Sequence, residues 1–219
     1  MSLFNSHKTA KRIIKSFILI FALMLLMGAV GSVGINNLTS SFRKMYQRRL
    51  VPAMDISHII EKQYQNRFHL EEHISGISIE NYAQLENDIK INNRQVDSII
   101  SHYADGADIL DHEEAKELKQ YRNAIRSYRS LEKNILLLSR DNKKKEATQL
   151  FTANSYTAFQ AAVRPMERLE DKQVALGKQL YQEAEKVGDN IRMALYASIA
   201  IALVVAITLA VIVSREYMI

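Results

Sequence analysis

The chain has 219 residues with seven glycines, two prolines, no cysteine and no tryptophan. Strong helix formers with few chain breakers argue against sheet, and the missing thiols exclude a disulfide framework and any thiolate metal site. The net charge is +5, yet residues 38–191 hold as many acidic as basic side chains, so the excess flanks two apolar runs. That pattern suits lipid headgroups and does not support a nucleic-acid partner.

Residues 1–15 form a tail with Lys8, Lys11, Arg12 and Lys15 and no acidic residue. Residues 16–36 then read as a transmembrane helix, most apolar from Phe17 to Ile35, since a span needs about 20 apolar residues. Gly31, Ser32 and Gly34 after that run would also suit a cleaved signal peptide. The length of the run, and a second one at residues 192–214, favour a retained anchor. Basic residues flanking a span stay in the cytoplasm, so both termini, including the short end at 215–219, are expected there. The segment 37–191 is then expected outside the cytoplasm.

Within 37–191 the apolar spacing is that of helices packed on helices. The first helix runs out of the span to Ser75, and Gly76 ends it. The second runs from about Ile79 to Tyr103, with Tyr82, Leu85, Ile89, Asn92, Val96, Ile99 and Tyr103 along its seam. It stops at Asp105-Gly106-Ala107-Asp108. Asp111 and Glu114 have the spacing of a capping box and open the third helix, whose seam is Leu118, Tyr121, Ile125, Tyr128, Leu131, Ile135 and Leu138. Steps of three and four mark left-handed bundle packing, and the seam Asn92 is a residue that fixes register. After Arg140-Asp141-Asn142 a fourth helix leads into the second span. A break is expected near Thr152 to Ser155, and a kink or fresh start at Pro165. Short connections between long helices make neighbours antiparallel. The fold class is therefore all-α: an up-down-up-down four-helix bundle flanked by two transmembrane helices.

The order of basic tail, span, bundle and span resembles the ligand-binding region of methyl-accepting chemotaxis proteins, the bacterial chemoreceptors. The stretch Met45-Tyr46-Gln47-Arg48-Arg49-Leu50-Val51-Pro52, the opening Asp111-His112-Glu113-Glu114 and the corner Asp141-Asn142-Lys143 share in that likeness. The resemblance implies a homodimer in the bacterial cytoplasmic membrane, with the bundle periplasmic or extracellular. Its ligand would be a small molecule or a periplasmic binding protein. Such receptors continue past their second span into a linker and a signalling hairpin. Here the sequence reads Ser214-Arg215-Glu216-Tyr217-Met218-Ile219, which implies an input module separated from its output or served by a separate cytoplasmic output protein. The same module also precedes sensor histidine kinases and nucleotide cyclases, and a tethered helical scaffold that binds no ligand is the remaining alternative.

By that resemblance, ligand would bind between two bundles at the end far from the membrane. On the first bundle helix this implicates Lys62, Tyr64, Arg67, His69 and His73. On the fourth it implicates Asn154, Tyr156, Thr157 and Arg164. Arg67 is suited to a carboxylate, which a guanidinium grips with two parallel hydrogen bonds.

His69-Leu70-Glu71-Glu72-His73 matches the H-x-x-E-H pattern of inverted zinc peptidases, and its histidines share a helical face. With no third ligand and no substrate cleft, no metal site is assigned. No nucleophile–base set or phosphate loop is present either, so neither an enzyme nor a cofactor is expected. Gly28 with Ser32, and Ala206 with Ala210, are small-xxx-small pairs that suit helix contacts in a membrane.

Overall fold

The structure, a computed structural model, describes residues 3–76, 81–105 and 111–217. Nearly all of those residues are helical: α1 (Leu3–Met45), α2 (Val51–Ser75), α3 (Tyr82–Asp105), α4 (His112–Arg140), α5 (Lys144–Leu150) and α6 (Tyr156–Tyr217). Single π-helical turns join α1 to α2 (Tyr46–Leu50) and α5 to α6 (Phe151–Ser155). The expected helix start at Ile79 and the stop at Gly106-Ala107-Asp108 lie outside the described residues. Two compact units result: residues 46–178, and residues 1–45 together with 179–219.

The unit 46–178 is the four-helix bundle, built from α2, α3, α4 and the run α5–α6. Its helix ends follow from local chemistry. Pro52, in the first turn of α2, brings no N–H for the carbonyl four residues back and crowds it, and the helix widens into its π turn just before. At the other end Gly76 takes φ 68°, and its N–H bonds the Glu72 carbonyl at 3.2 Å. This is the left-handed cap that glycine adopts without strain. Asp111 caps α4 as expected: its carboxylate accepts from the N–H groups of Glu113 and Glu114, while Glu114 Oε2 accepts from the Asp111 N–H, each at 2.9 Å. Asn142, at φ 62°, turns the chain from α4 to α5.

The expected break near Thr152 to Ser155 is the second π turn. The fresh start expected at Pro165 does not occur, because α6 runs unbroken through it. Ala162, Val163 and Met166 around that proline are at most 1% exposed, so packing on the other helices holds the segment helical against the lost bond.

The core falls into two apolar clusters. The larger draws on all four bundle helices, among them Ile56, Ile59, Val96, Ile100, Tyr121, Ile125, Tyr128, Phe159 and Met166. The smaller gathers Leu70, Ile74, Ile135 and Ala147. On α3 the seam holds at Ile89, Asn92, Val96 and Tyr103, while Ile100 is buried more deeply than Ile99. On α4 the expected seam holds through Tyr128 and at Ile135. At two positions the deeper residue is polar: Glu132 and Ser139 are buried where Leu131 and Leu138 were expected, and those leucines are half-buried.

In the other unit, α1 and the end of α6 contain stretches long and apolar enough to cross a membrane, with almost none of that surface buried. Gly34 lies against α6: a Cβ there would come within 2.9 Å of the Ile191 side chain. Gly28, in the small-xxx-small pair, has open space around it.

Candidate functional site

The residues named from sequence do not form one site. Tyr64, Arg67 and Tyr156 come together, and what gathers them is the second π turn. Arg67 reaches from α2 across to it, donating from Nη1 to Ser155 Oγ at 2.7 Å. Its guanidinium carbon lies 4.7 Å from the Phe151 ring centre, 5.2 Å from that of Phe159 and 6.0 Å from that of Tyr156. Tyr64 closes edge-on against Phe159, with centroids 4.9 Å apart. A guanidinium over aromatic faces is held by the ring quadrupole, and no carboxylate among the described residues pairs with it. Phe151, Ser155 and Phe159 fall at i, i+4 and i+8, one helical face, which is the signal that sequence reasoning missed.

The other named residues lie elsewhere. Lys62 donates to Gln65 at 3.3 Å and, with His58 and Glu61, lines a groove between α2 and α3. His69 Nδ1 stands 3.5 Å from Glu72. Asn154, Thr157 and Arg164 are exposed. His73 is fully buried, with both ring nitrogens engaged: Nδ1 with Ser139 Oγ at 2.8 Å and Nε2 with Glu86 at 3.2 Å. Tyr82 stacks on the ring at 4.1 Å. Lys144 adds hydrogen bonds of 2.6 Å to the His73 carbonyl and to Ser139 Oγ. Burial outweighs the nearby Glu86 and holds the imidazole below its ordinary pKa of 6.5. The histidine is thus a neutral core group that ties α2, α3, α4 and α5 together.

Between the two apolar clusters lies a polar layer. Asn92 Nδ2 donates to Asn66 Oδ1 at 2.9 Å, Asn66 Nδ2 to Asn93 Oδ1 at 3.0 Å, and Asn93 Nδ2 to Glu132 Oε1 at 3.2 Å. Every amide in this relay donates toward the carboxyl group. Glu132 is 4% exposed, and its Oε2 has no protein partner. Burial pushes its pKa up to about 7, against the smaller lowering effects of the Asn93 hydrogen bond and the Arg129 charge.

A second buried polar set lies where α2 begins. Glu114 Oε1 accepts from Arg49 Nη1 at 3.2 Å and from Gln173 Nε2 at 2.6 Å. Gln173 also donates to the Tyr103 hydroxyl at 3.0 Å. The same glutamate therefore caps α4 with one oxygen and receives a cation with the other. Burial, then the Glu114 charge, pushes the Tyr103 phenol up to about 12. A cavity of about 200 Å³ opens beside this set.

A family model described as a four-helix-bundle sensory module for signal transduction matches residues 5–187. The chain belongs to that family. No curated protein and no solved structure matches the chain. Family membership and fold agree on a four-helix-bundle sensory module, and the match takes in the first of the two apolar stretches. The family is a sensory one and not a catalytic one. Among the described residues no group of three or more His, Asp or Glu side chains is placed to hold a metal ion.

Proposed function

We propose that this chain is the extracytoplasmic sensing module of a chemoreceptor-like protein in a bacterial cytoplasmic membrane, with both termini in the cytoplasm. The observation that carries the reading is the family match over residues 5–187 in a chain with two membrane-length apolar helices. Binding of a small ligand to the bundle displaces α6, by about 1–2 Å in the manner of other helix shifts. Because α6 is one helix from Tyr156 to Tyr217, the displacement reaches the second span. Arg67, with its unpaired charge and aromatic bed, is suited to a ligand carboxylate.

The working unit is a homodimer. Tyr46, Leu50, Met54, Tyr64 and Phe68 are exposed apolar side chains that recur, through Ser57 and Glu61, at steps of three and four. Such a stripe is the seam a second helix covers. Single cysteines along it, such as Ser57→Cys, cross-link between protomers; absence of any cross-link along α2 contradicts the dimer.

Ligand binding is tested by thermal shift of the membrane-embedded chain against amino acids and organic acids. A ligand at about 100 times its Kd adds about 2.7 kcal/mol of stability. If no member of a broad panel moves Tm, the chain is a scaffold and the sensing reading fails.

A further inference from the structure

We infer that the cavity at the start of α2 is a second ligand site, suited to a short ω-amino carboxylate. The inference rests on the sensing function proposed above and assigns a place and a ligand class to it.

The cavity holds about 200 Å³, room for a short-chain molecule. It is bounded by the π turn and first turns of α2, by His102 and Tyr103 on α3, by Glu114 on α4 and by Gln173 on α6. All four bundle helices therefore meet there. Its inner wall is already satisfied. Glu114 spends one oxygen on Arg49 and Gln173 and the other on the Asp111 N–H, so the buried carboxylate has nothing left for a ligand.

The α2 side differs. Arg48 and Asp55 both line the cavity, and among the described residues neither has an ion-pair partner. Between them, on the same lining face, stand Val51 and Pro52. The face thus reads cation, apolar patch, anion, with the charges seven residues apart, about 10 Å along a helix. A plain anion would satisfy Arg48 and repel Asp55, and a plain amine the reverse. A chain with a carboxylate at one end, methylenes in the middle and an ammonium at the other matches all three elements at once. His102, also lining the cavity, supplies a further polar group at its mouth.

The test uses the full chain in lipid nanodiscs and three probes of one skeleton: γ-aminobutyrate, butyrate and butylamine. The expected result is a saturable rise in Tm with γ-aminobutyrate at millimolar concentration, and less than half that rise with either singly charged probe. Arg48→Gln and Asp55→Asn each weaken γ-aminobutyrate binding at least tenfold by calorimetry, with circular dichroism confirming the fold, whereas Arg126→Gln, on the exposed face of α4, leaves it unchanged. An equal rise with butyrate overturns the ligand class. Absence of any rise with γ-aminobutyrate, or binding that survives both cavity substitutions, overturns the site. If the site fails while another member of the broad panel binds, the sensing function stands. If nothing binds at all, both readings fall together.

Discussion

The two halves of the bundle core use the same helices and the same three-four spacing, but with opposite chemistry. Around Ile59, Tyr121 and Phe159 the seam is apolar, and its contribution is burial of apolar surface. One to two turns beyond that cluster the same seam carries Asn66, Asn92 and Glu132, with Ser139 about two turns further on past Ile135, and their contribution is hydrogen bonds between helices. Apolar seams stabilise without choosing a register. Polar seam residues choose one, because a slip leaves buried amides unpaired. The difference separates a half that holds the bundle together from a half that specifies how its helices align.

The largest effect is expected in the apolar half. Phe159→Ala removes a ring that is 1% exposed and touches Tyr64, Tyr128 and Arg67. It should cost about 3–5 kcal/mol in denaturant unfolding. A loss below 1 kcal/mol would mean that this cluster does not hold the bundle. Next comes Arg49→Ala, which leaves the buried Glu114 its hydrogen bonds from Gln173 and the Asp111 N–H but removes its cation. Because Arg49 is 21% exposed and water reaches it, the loss should be about 2 kcal/mol, less than for a fully enclosed pair.

The polar half should show itself through pH. In the unfolded chain Glu132 ionises near its ordinary 4.5, and in the bundle it keeps its proton up to about 7. The folded state binds the extra proton across that interval. Its contribution is therefore complete below pH 4.5 and lost as pH rises through 7. Glu132→Gln retains a neutral group and should stabilise the protein by about 1–3 kcal/mol at pH 8, with little effect near pH 4.5. Equal Tm changes at both pH values would contradict a buried neutral carboxyl. His73 acts with the opposite sign. Its pKa is depressed on folding, so stability falls as pH drops below 6.5, and His73→Gln should flatten that acid limb. The smallest effect concerns the end of α2, where Gly76→Ala, at φ 68° and with its new methyl 3.3 Å from the Tyr82 hydroxyl, should cost about 1 kcal/mol in denaturant unfolding.

Much of the fold was legible in the sequence because local chemistry decides it. The Asp111–Glu114 box, the Gly76 cap and the seams through Val96 and Tyr128 follow from spacing alone. The crossover on α4 was not legible. Leu131 and Leu138 are more apolar than Glu132 and Ser139, so a periodicity count prefers them. Only the facing Asn66 and Asn93, and the facing His73 and Lys144, make the polar positions the deeper ones. Arg67 stood out as a candidate, but its bed of Phe151, Ser155 and Phe159 depends on where a π turn places the helix. The set Arg49, Glu114 and Gln173 joins residues up to 124 apart in sequence, which no short motif records.

The central claim is that a sensory bundle stands outside the cytoplasm on two spans, and the absence of native cysteine allows a direct test. Single cysteines at Ser127, on the exposed face of α4, and at Ser6, in the basic tail, are challenged with a membrane-impermeant maleimide in intact cells. The account predicts that Ser127→Cys is labelled and Ser6→Cys is labelled only after lysis. Labelling of the tail in intact cells, or protection of Ser127→Cys until lysis, would contradict it.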